Sequence, residues 1–162
     1  MREEQDIQAE LNFRYAWAKD AIRAPRDRRV YLEVPAGQFE EVFGYVTRRM
    51  GFSILCAITG LDLGESLGAI YHLARPSGVM LNLSVRVPKD APLLQTVTGT
   101  FPAADAYERE MVDLLGMQVQ GLPPGPRYPL PDDWPAGQYP LRKDWQAPAE
   151  AAPAGPEEAP HA

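Results

Sequence analysis

The residues of this chain that could carry chemistry are few. Asp132 and Asp133 stand side by side, and Glu108 and Glu110 flank Arg109. Adjacent carboxylates can hold a divalent cation or act as acid and base. A stand-alone carboxylate- or metal-dependent enzyme built on Asp132 and Asp133, with Glu108 and Glu110, is therefore one reading. The spacing argues against it. Consecutive residues in an extended segment point to opposite sides. No histidine, asparagine or further glutamate accompanies the pair at ligand spacing. The alternative use is pairing with arginines, either Arg127 and Arg142 of this chain or arginines on a partner.

The remaining reactive groups are isolated. His72 falls in a predicted strand with no companion nucleophile, and His161 lies in the tail. Cys56 sits in an apolar run and reads as an inert core thiol. One cysteine excludes an internal disulfide and also a self-contained iron–sulfur cluster, which takes about four thiolates. The glycines from Gly60 to Gly68 do not match dinucleotide or phosphate-loop spacing and read as a turn between strands. No catalytic, cofactor-binding or metal-ligating residue is assigned in this chain.

The 162 residues suffice for one domain with a core, and 45% hydrophobic with 23% charged residues is an ordinary globular mix. A net charge of −6 argues against nucleic acid, whose binding needs a basic footprint. No apolar run reaches the roughly 18–20 residues of a membrane span. Membrane contact would have to come through another protein.

The elements that must position these groups read as follows. Residues 1–25 hold a helix from Glu3 to Arg23, with Ile7, Leu11, Tyr15, Ala18 and Ile22 on one stripe and Pro25 ending it. Residues 26–120 form the main domain: a strand over 29–34, a helix over 38–50, a β-rich run over 52–59 that could be buried on both faces, then alternating strands over 67–73 and 79–87. A short helical or irregular piece covers 93–98. A helix begins at Asp105, with Glu108 completing a capping box and Gly116 closing it. The fold class is α+β: a mostly antiparallel sheet with helices on one face.

Residues 121–145 are different. Prolines at 123, 124, 126, 129, 131, 135 and 140 deny them a helix or a central strand and leave an extended ribbon. The ribbon carries Tyr128, Leu130, Trp134, Tyr139, Leu141 and Trp145, too much apolar surface for a solvated linker. Such a segment must bury its aromatics on its own domain or on another protein. Arg109 and Asp113 are spaced for an i,i+4 pair in the weaker orientation. A polar network of Glu108, Arg109 and Glu110 with Arg142, Lys143 and Asp144 would staple the ribbon. Residues 146–162 are rich in Ala, Pro and Glu and are expected to be disordered.

Tyr107-Glu-Arg-Glu, Asp113-Leu-Leu-Gly-Met, Gly121-Leu-Pro, Leu130-Pro-Asp-Asp-Trp-Pro and Tyr139-Pro-Leu-Arg-Lys-Asp-Trp together resemble one signature. It is that of the C-subunit family (30 kDa type) of respiratory complex I, the NADH:quinone oxidoreductase. That family has a relative in energy-converting membrane-bound [NiFe] hydrogenases. The resemblance runs from about Val30 to Trp145. It implies a non-catalytic scaffold subunit, without a cofactor of its own, beside the large (D-type or [NiFe]) subunit and neighbouring iron–sulfur subunits. Iron–sulfur clusters, and nickel–iron or quinone, would then sit in partner chains, and the complex would stand on the cytoplasmic side of the cell membrane. The implied partner-binding residues are Glu108, Arg109, Glu110 and Asp113 on the helix. On the ribbon they are Asp132, Asp133, Trp134 and Tyr139, then Arg142, Lys143, Asp144 and Trp145. Ala106, where an aromatic often precedes Glu-Arg-Glu, and a lengthened stretch from Trp134 to Asp144 lean toward the hydrogenase branch.

Overall fold

A computed structural model describes residues 2–147. Helix α1 spans Glu3–Arg14, and a 3-10 turn follows at Ala16–Asp20. Strands β1 (Ile22–Arg26) and β2 (Arg29–Val34) precede helix α2 (Phe39–Arg48). Then come β3 (Ile54–Asp62), β4 (Ser66–Ala74), β5 (Met80–Pro88), the short β6 (Leu93–Gln95), helix α3 (Ala104–Leu115) and the short β7 (Gln118–Gln120). Five strands make one sheet in the order β1-β2-β5-β4-β3, and β6 pairs β7 separately. Pairing in the main sheet is antiparallel except β2 with β5. The chain is thus α+β with a mostly antiparallel five-stranded sheet.

Alternation builds the inner face. Val30, Leu32 and Val34 of β2, Leu81, Leu83, Val85 and Val87 of β5, and Leu67, Ala69, Tyr71 and Leu73 of β4 are buried in a single core. The Tyr71 ring meets Phe39 of α2 at a tilt and Phe43 edge-on, at 4.7 and 5.7 Å, so α2 covers this face. Gly60 of β3 lets α3 approach the same face, because a Cβ there would come within 2.6 Å of Leu115 and 2.9 Å of Met111. Ile7 and Leu11 seat α1 in the same core.

The opposite face holds a polar ladder. Asn82 donates through Nδ2 to the Val30 carbonyl at 3.2 Å, which turns its Oδ1 toward His72 Nδ1 at 2.7 Å. His72 Nδ1 is therefore the donor there, and Nε2 faces Thr59 Oγ1 at 3.0 Å. His72 joins three strands.

Several elements depart from the sequence expectation. The first helix ends at Arg14, well before Pro25. Tyr15 turns to extended backbone so that its ring meets Tyr45 of α2 edge-on at 6.1 Å, and Ile22–Arg26 pairs with β2 as a strand. The gain from packing and strand pairing exceeds helical propensity here. Strand β3 is not buried on both faces: it is one of the sheet's two edge strands, and Cys56, at a register shift between Leu55 and Ala57, is exposed. The thiol is not a core group. The piece at 93–98 contains a strand, β6, paired in parallel to β7. Helix α3 starts one residue early, with Ala103 at its N-cap and no side-chain cap. Asp105 and Glu108 form no capping box. The expected disordered tail lies, from Pro148 onward, outside the described residues.

Candidate partner interface

Helix α3 organises the site. Its charged residues point to different places, and the carboxylates of Asp105, Glu108 and Asp113 each have a separate task. Glu108 is 0% exposed. Its Oε1 accepts the Val97 N–H at 2.7 Å and its Oε2 accepts the Thr96 hydroxyl at 2.5 Å, tying α3 to the loop after β6. Burial pushes its carboxyl above the usual value, against the pull of these two donors. A partner cannot touch Glu108, so its expected place in the interface is corrected to an internal one.

Arg109 does not pair with Asp113. It forks onto Asp105, one turn back, with Nε and one terminal nitrogen at 2.8 and 2.9 Å, the orientation that helices favour. The same guanidinium donates to the carbonyls of Pro123 and Pro126 at 2.6 and 3.2 Å. A Cβ on Gly125 would strike it. Asp113, buried, accepts Arg127 Nε at 3.0 Å and the Leu130 N–H at 3.2 Å. Arg127 also donates to the Trp134 carbonyl at 2.9 Å. Two residues of α3 therefore satisfy the backbone of a segment whose prolines leave its carbonyls without regular partners.

The end of α3 is capped by the second leg of the ribbon. Leu141 N–H donates to the Leu114 carbonyl at 3.0 Å, and Arg142 Nε donates to the Leu115 carbonyl at 2.7 Å. These are orphan carbonyls of a helix C-terminus, where a cation is also favoured by the helix dipole. Arg142 lies over the Tyr139 ring at 4.6 Å. Gly116 takes the left-handed conformation (φ 68°) expected of it, and a Cβ there would meet the Tyr139 ring at 2.5 Å. Trp134 and Trp145 sit 6.2 Å apart, and their indole N–H groups donate to the Gln138 carbonyl and side-chain oxygen at 2.9 and 2.7 Å.

A last cluster fastens the C-terminal leg to the sheet. Asp62, its side chain 2% exposed, accepts Lys89 Nζ at 2.9 Å, the Lys143 N–H at 2.8 Å and the Gly64 N–H at 2.7 Å. Burial opposes its ionisation, but these donors prevail and hold the carboxyl at about 2. Lys89 also reaches Asp144 at 3.0 Å. Composition offered no sign of Asp62; its position in a turn between two strands looked purely structural.

The expected network of Glu108, Arg109 and Glu110 with Arg142, Lys143 and Asp144 does not form. The ribbon is stapled, but Glu108, Arg109, Arg142 and Asp144 have other partners, and the side chains of Glu110 and Lys143 make no hydrogen bond or ion pair among the described residues. Asp132 and Asp133 are exposed and make no ion pair among the described residues, since Arg127 and Arg142 are engaged elsewhere. No three His, Cys, Asp or Glu residues converge at metal-ligating distance among the described residues.

An α+β domain with a C-terminal strap bound across one helix end is the class that this geometry defines. Comparison with known proteins makes the class specific. The chain belongs to the family described as Respiratory-chain NADH dehydrogenase, 30 Kd subunit, whose model matches residues 32–151. It is 33% identical to the C-subunit of F(420)H(2) dehydrogenase from Methanosarcina mazei, over 76% of this chain and 81% of that protein. It is 32% identical to membrane-bound hydrogenase subunit beta of Pyrococcus furiosus, over 67% of this chain and 65% of the relative. The C-subunit of NADH-quinone oxidoreductase from Moorella thermoacetica is 32% identical over 64% of this chain and 72% of its own length. The match thus spans a little under two thirds of the Pyrococcus relative's length. Among solved structures, a chain of the membrane-bound sulfane sulfur reductase, an archaeal respiratory membrane complex, superposes with a TM-score of 0.79 at 26% identity, covering 92% of this chain and 89% of that one.

Proposed function

We propose that this chain is a non-catalytic scaffold subunit of a complex I-like, membrane-associated redox complex, and that it binds the large catalytic subunit next to the quinone or [NiFe] cavity. One observation carries the reading: a family shared by NADH-quinone, F(420)H(2) and hydrogenase subunits matches 32–151, the stretch that contains α3 and the strap. What these relatives have in common is membership of a larger assembly. The site supports the reading, because its buried carboxylates serve structure. Glu108, Asp113 and Asp62 all accept backbone amides. Among the described residues no helix is long and apolar enough to cross a membrane; in this reading attachment runs through neighbours. Redox cofactors, the iron–sulfur clusters with nickel–iron or quinone, belong to those neighbours, on the cytoplasmic side.

The test is purification of the tagged chain from mildly solubilised membranes, with mass spectrometry of what accompanies it. Recovery of a large subunit together with iron–sulfur subunits is the expected result. Paired Cys-x-x-Cys motifs in that large subunit would assign the hydrogenase branch, and their absence the quinone branch. A chain recovered alone, at wild-type expression, would overturn the proposal.

A further inference from the structure

Basic charge is concentrated in one short stretch of this acidic chain. Residues 19–29 hold five of the 16 lysines and arginines (Lys19, Arg23, Arg26, Arg28 and Arg29) against two acids, Asp20 and Asp27. They form the β1–β2 hairpin and the approach to it. Arg23 stands opposite Tyr31, and Arg26 opposite Arg29. Arg23, Arg26 and Arg29 therefore share the face of Tyr31, turned away from Val30 and Leu32 in the core. Asp27, the acid at the tip, is taken by Arg2. Glu3, which feels the charge of Arg28, is bound by Arg75 and Ser77. None of the four hairpin arginines makes an ion pair among the described residues. The hairpin carries them against local preference. Like charges directly opposite on paired strands repel. Arg28 holds φ at 61°, the left-handed region, and no other non-glycine residue does so among the described residues. Charges kept where they are locally unfavourable are the mark of a functional surface. Beside the row opens a cleft of about 680 Å³, with Trp17, Tyr31 and Ile70 on its walls. Arg23 lies over the Tyr31 ring at 5.1 Å, and Glu33 in the same cleft is neutralised by Arg86 at 2.9 Å.

We propose that this face of the hairpin docks an acidic polypeptide segment of another subunit, with carboxylates on Arg26, Arg28 and Arg29 and one apolar side chain in the cleft against Trp17 and Tyr31. It rests on the scaffold-subunit reading and deepens it with a contact outside the family's stretch, since residues 19–29 precede the matched 32–151. Guanidinium forks fit carboxylates bidentately. Charge selects the occupant. A second copy brings the same arginines, so hairpin-to-hairpin contact repels. Glu3 and Glu4, in the acidic first turn of α1, lie beside Arg28 and oppose a flat anionic membrane, which also cannot enter the cleft. A narrow segment runs along the row away from those two acids, and it keeps its own carboxylates off Asp20, which also lines the cleft.

Photocrosslinking identifies the occupant. The tagged full chain, with benzoylphenylalanine in place of Tyr31, is irradiated in its membranes and the adduct is sequenced by mass spectrometry. The expected adduct is a segment of another subunit with an excess of Asp and Glu. An adduct with a second copy, with residues 148–162 of the same chain, with lipid, or with a segment lacking that excess overturns the proposal. The double variant Arg26→Gln with Arg28→Gly tests the charge. It removes the cross-strand repulsion and the left-handed arginine together, so its melting midpoint should equal or exceed that of the wild type. Its recovery of the crosslinked subunit should nonetheless fall about fivefold or more. Raising the salt should lower wild-type recovery of that subunit in the same way. A lowered midpoint shows that the arginines serve the fold, and undiminished recovery shows that nothing reads them; either result overturns the proposal. If the wild-type chain recovers no subunit at all, the scaffold reading falls and takes the hairpin contact with it. If it recovers the large subunit but gives no adduct at position 31, the hairpin contact falls alone.

Discussion

Glu108 offers the sharpest test of how this fold uses its signature charges. Glu108→Ala leaves the buried Val97 N–H without its acceptor, at about 1–3 kcal/mol. It also removes one buried methylene along with the carboxyl group, adding about 1 kcal/mol. A loss of about 3 kcal/mol is a large part of the 5–15 kcal/mol that holds typical domains together. It should lower the calorimetric midpoint by about 6–12 °C in a domain of this size. Glu108→Gln is the informative control. Its Oε1 can accept Val97 N–H, and its Nε2 can donate to Thr96 Oγ1, so the link survives. Burial raises the Glu108 carboxyl above its ordinary 4.5 in the folded chain. The folded state therefore binds this proton more tightly than the unfolded chain does. Relative to Glu108→Gln, wild-type stability should be greatest below about pH 4.5 and should fall as pH rises through the folded value. Urea titrations of the three proteins between pH 4 and 8 give both numbers. An alanine variant within about 1 kcal/mol of wild type would refute the reasoning, since a linked buried amide cannot be lost so lightly. A glutamine variant as damaged as alanine would do the same.

Three further outcomes follow from the same geometry. Asp62 behaves oppositely to Glu108: its carboxyl is depressed to about 2 from an ordinary 3.8, so its contribution is present above about pH 4 and lost as pH falls toward 2. Asp62→Asn should cost about 1–2 kcal/mol at pH 7, solvent at the Asp144 end trimming the gain, and should flatten the acid limb of the stability curve; an unchanged acid limb contradicts this. Gly116→Ala should cost about 1–2 kcal/mol for left-handed backbone alone and more from the displaced Tyr139 ring, visible as a lower melting midpoint and faster tryptic cleavage after Arg142; wild-type behaviour would show that the ring has room to move. Cys56 should react with a soluble thiol reagent in the folded chain at a rate close to that of the urea-unfolded chain, and protection would restore the buried reading.

Period and punctuation carried much of the fold. The alternation at 79–87 and the stripe Phe39, Val42, Phe43 and Val46 each bury one face, and each became the element its period demands. Gly116 was legible because only a left-handed turn needs it there. The proline run was legible as a segment without regular structure, and the order of charged and aromatic residues from Tyr107 to Trp145 was enough to place the family.

What the chain order could not state is which charge meets which. Glu108, Arg109 and Asp113 lie within two helical turns and look interchangeable on paper. Only packing sends Glu108 inward to Val97, Arg109 back to Asp105 and across to two proline carbonyls, and Asp113 to Arg127. The same is true of Tyr15, which leaves its helix because a neighbouring ring is worth more than one further turn. Local sequence determined where the chain can be helical, extended or sharply turned, because those limits are steric and act between near neighbours. Tertiary structure decided the exposure of Cys56, the burial of Asp62 and the anchoring of the strap on the end of α3, because each depends on groups brought together from distant parts of the chain.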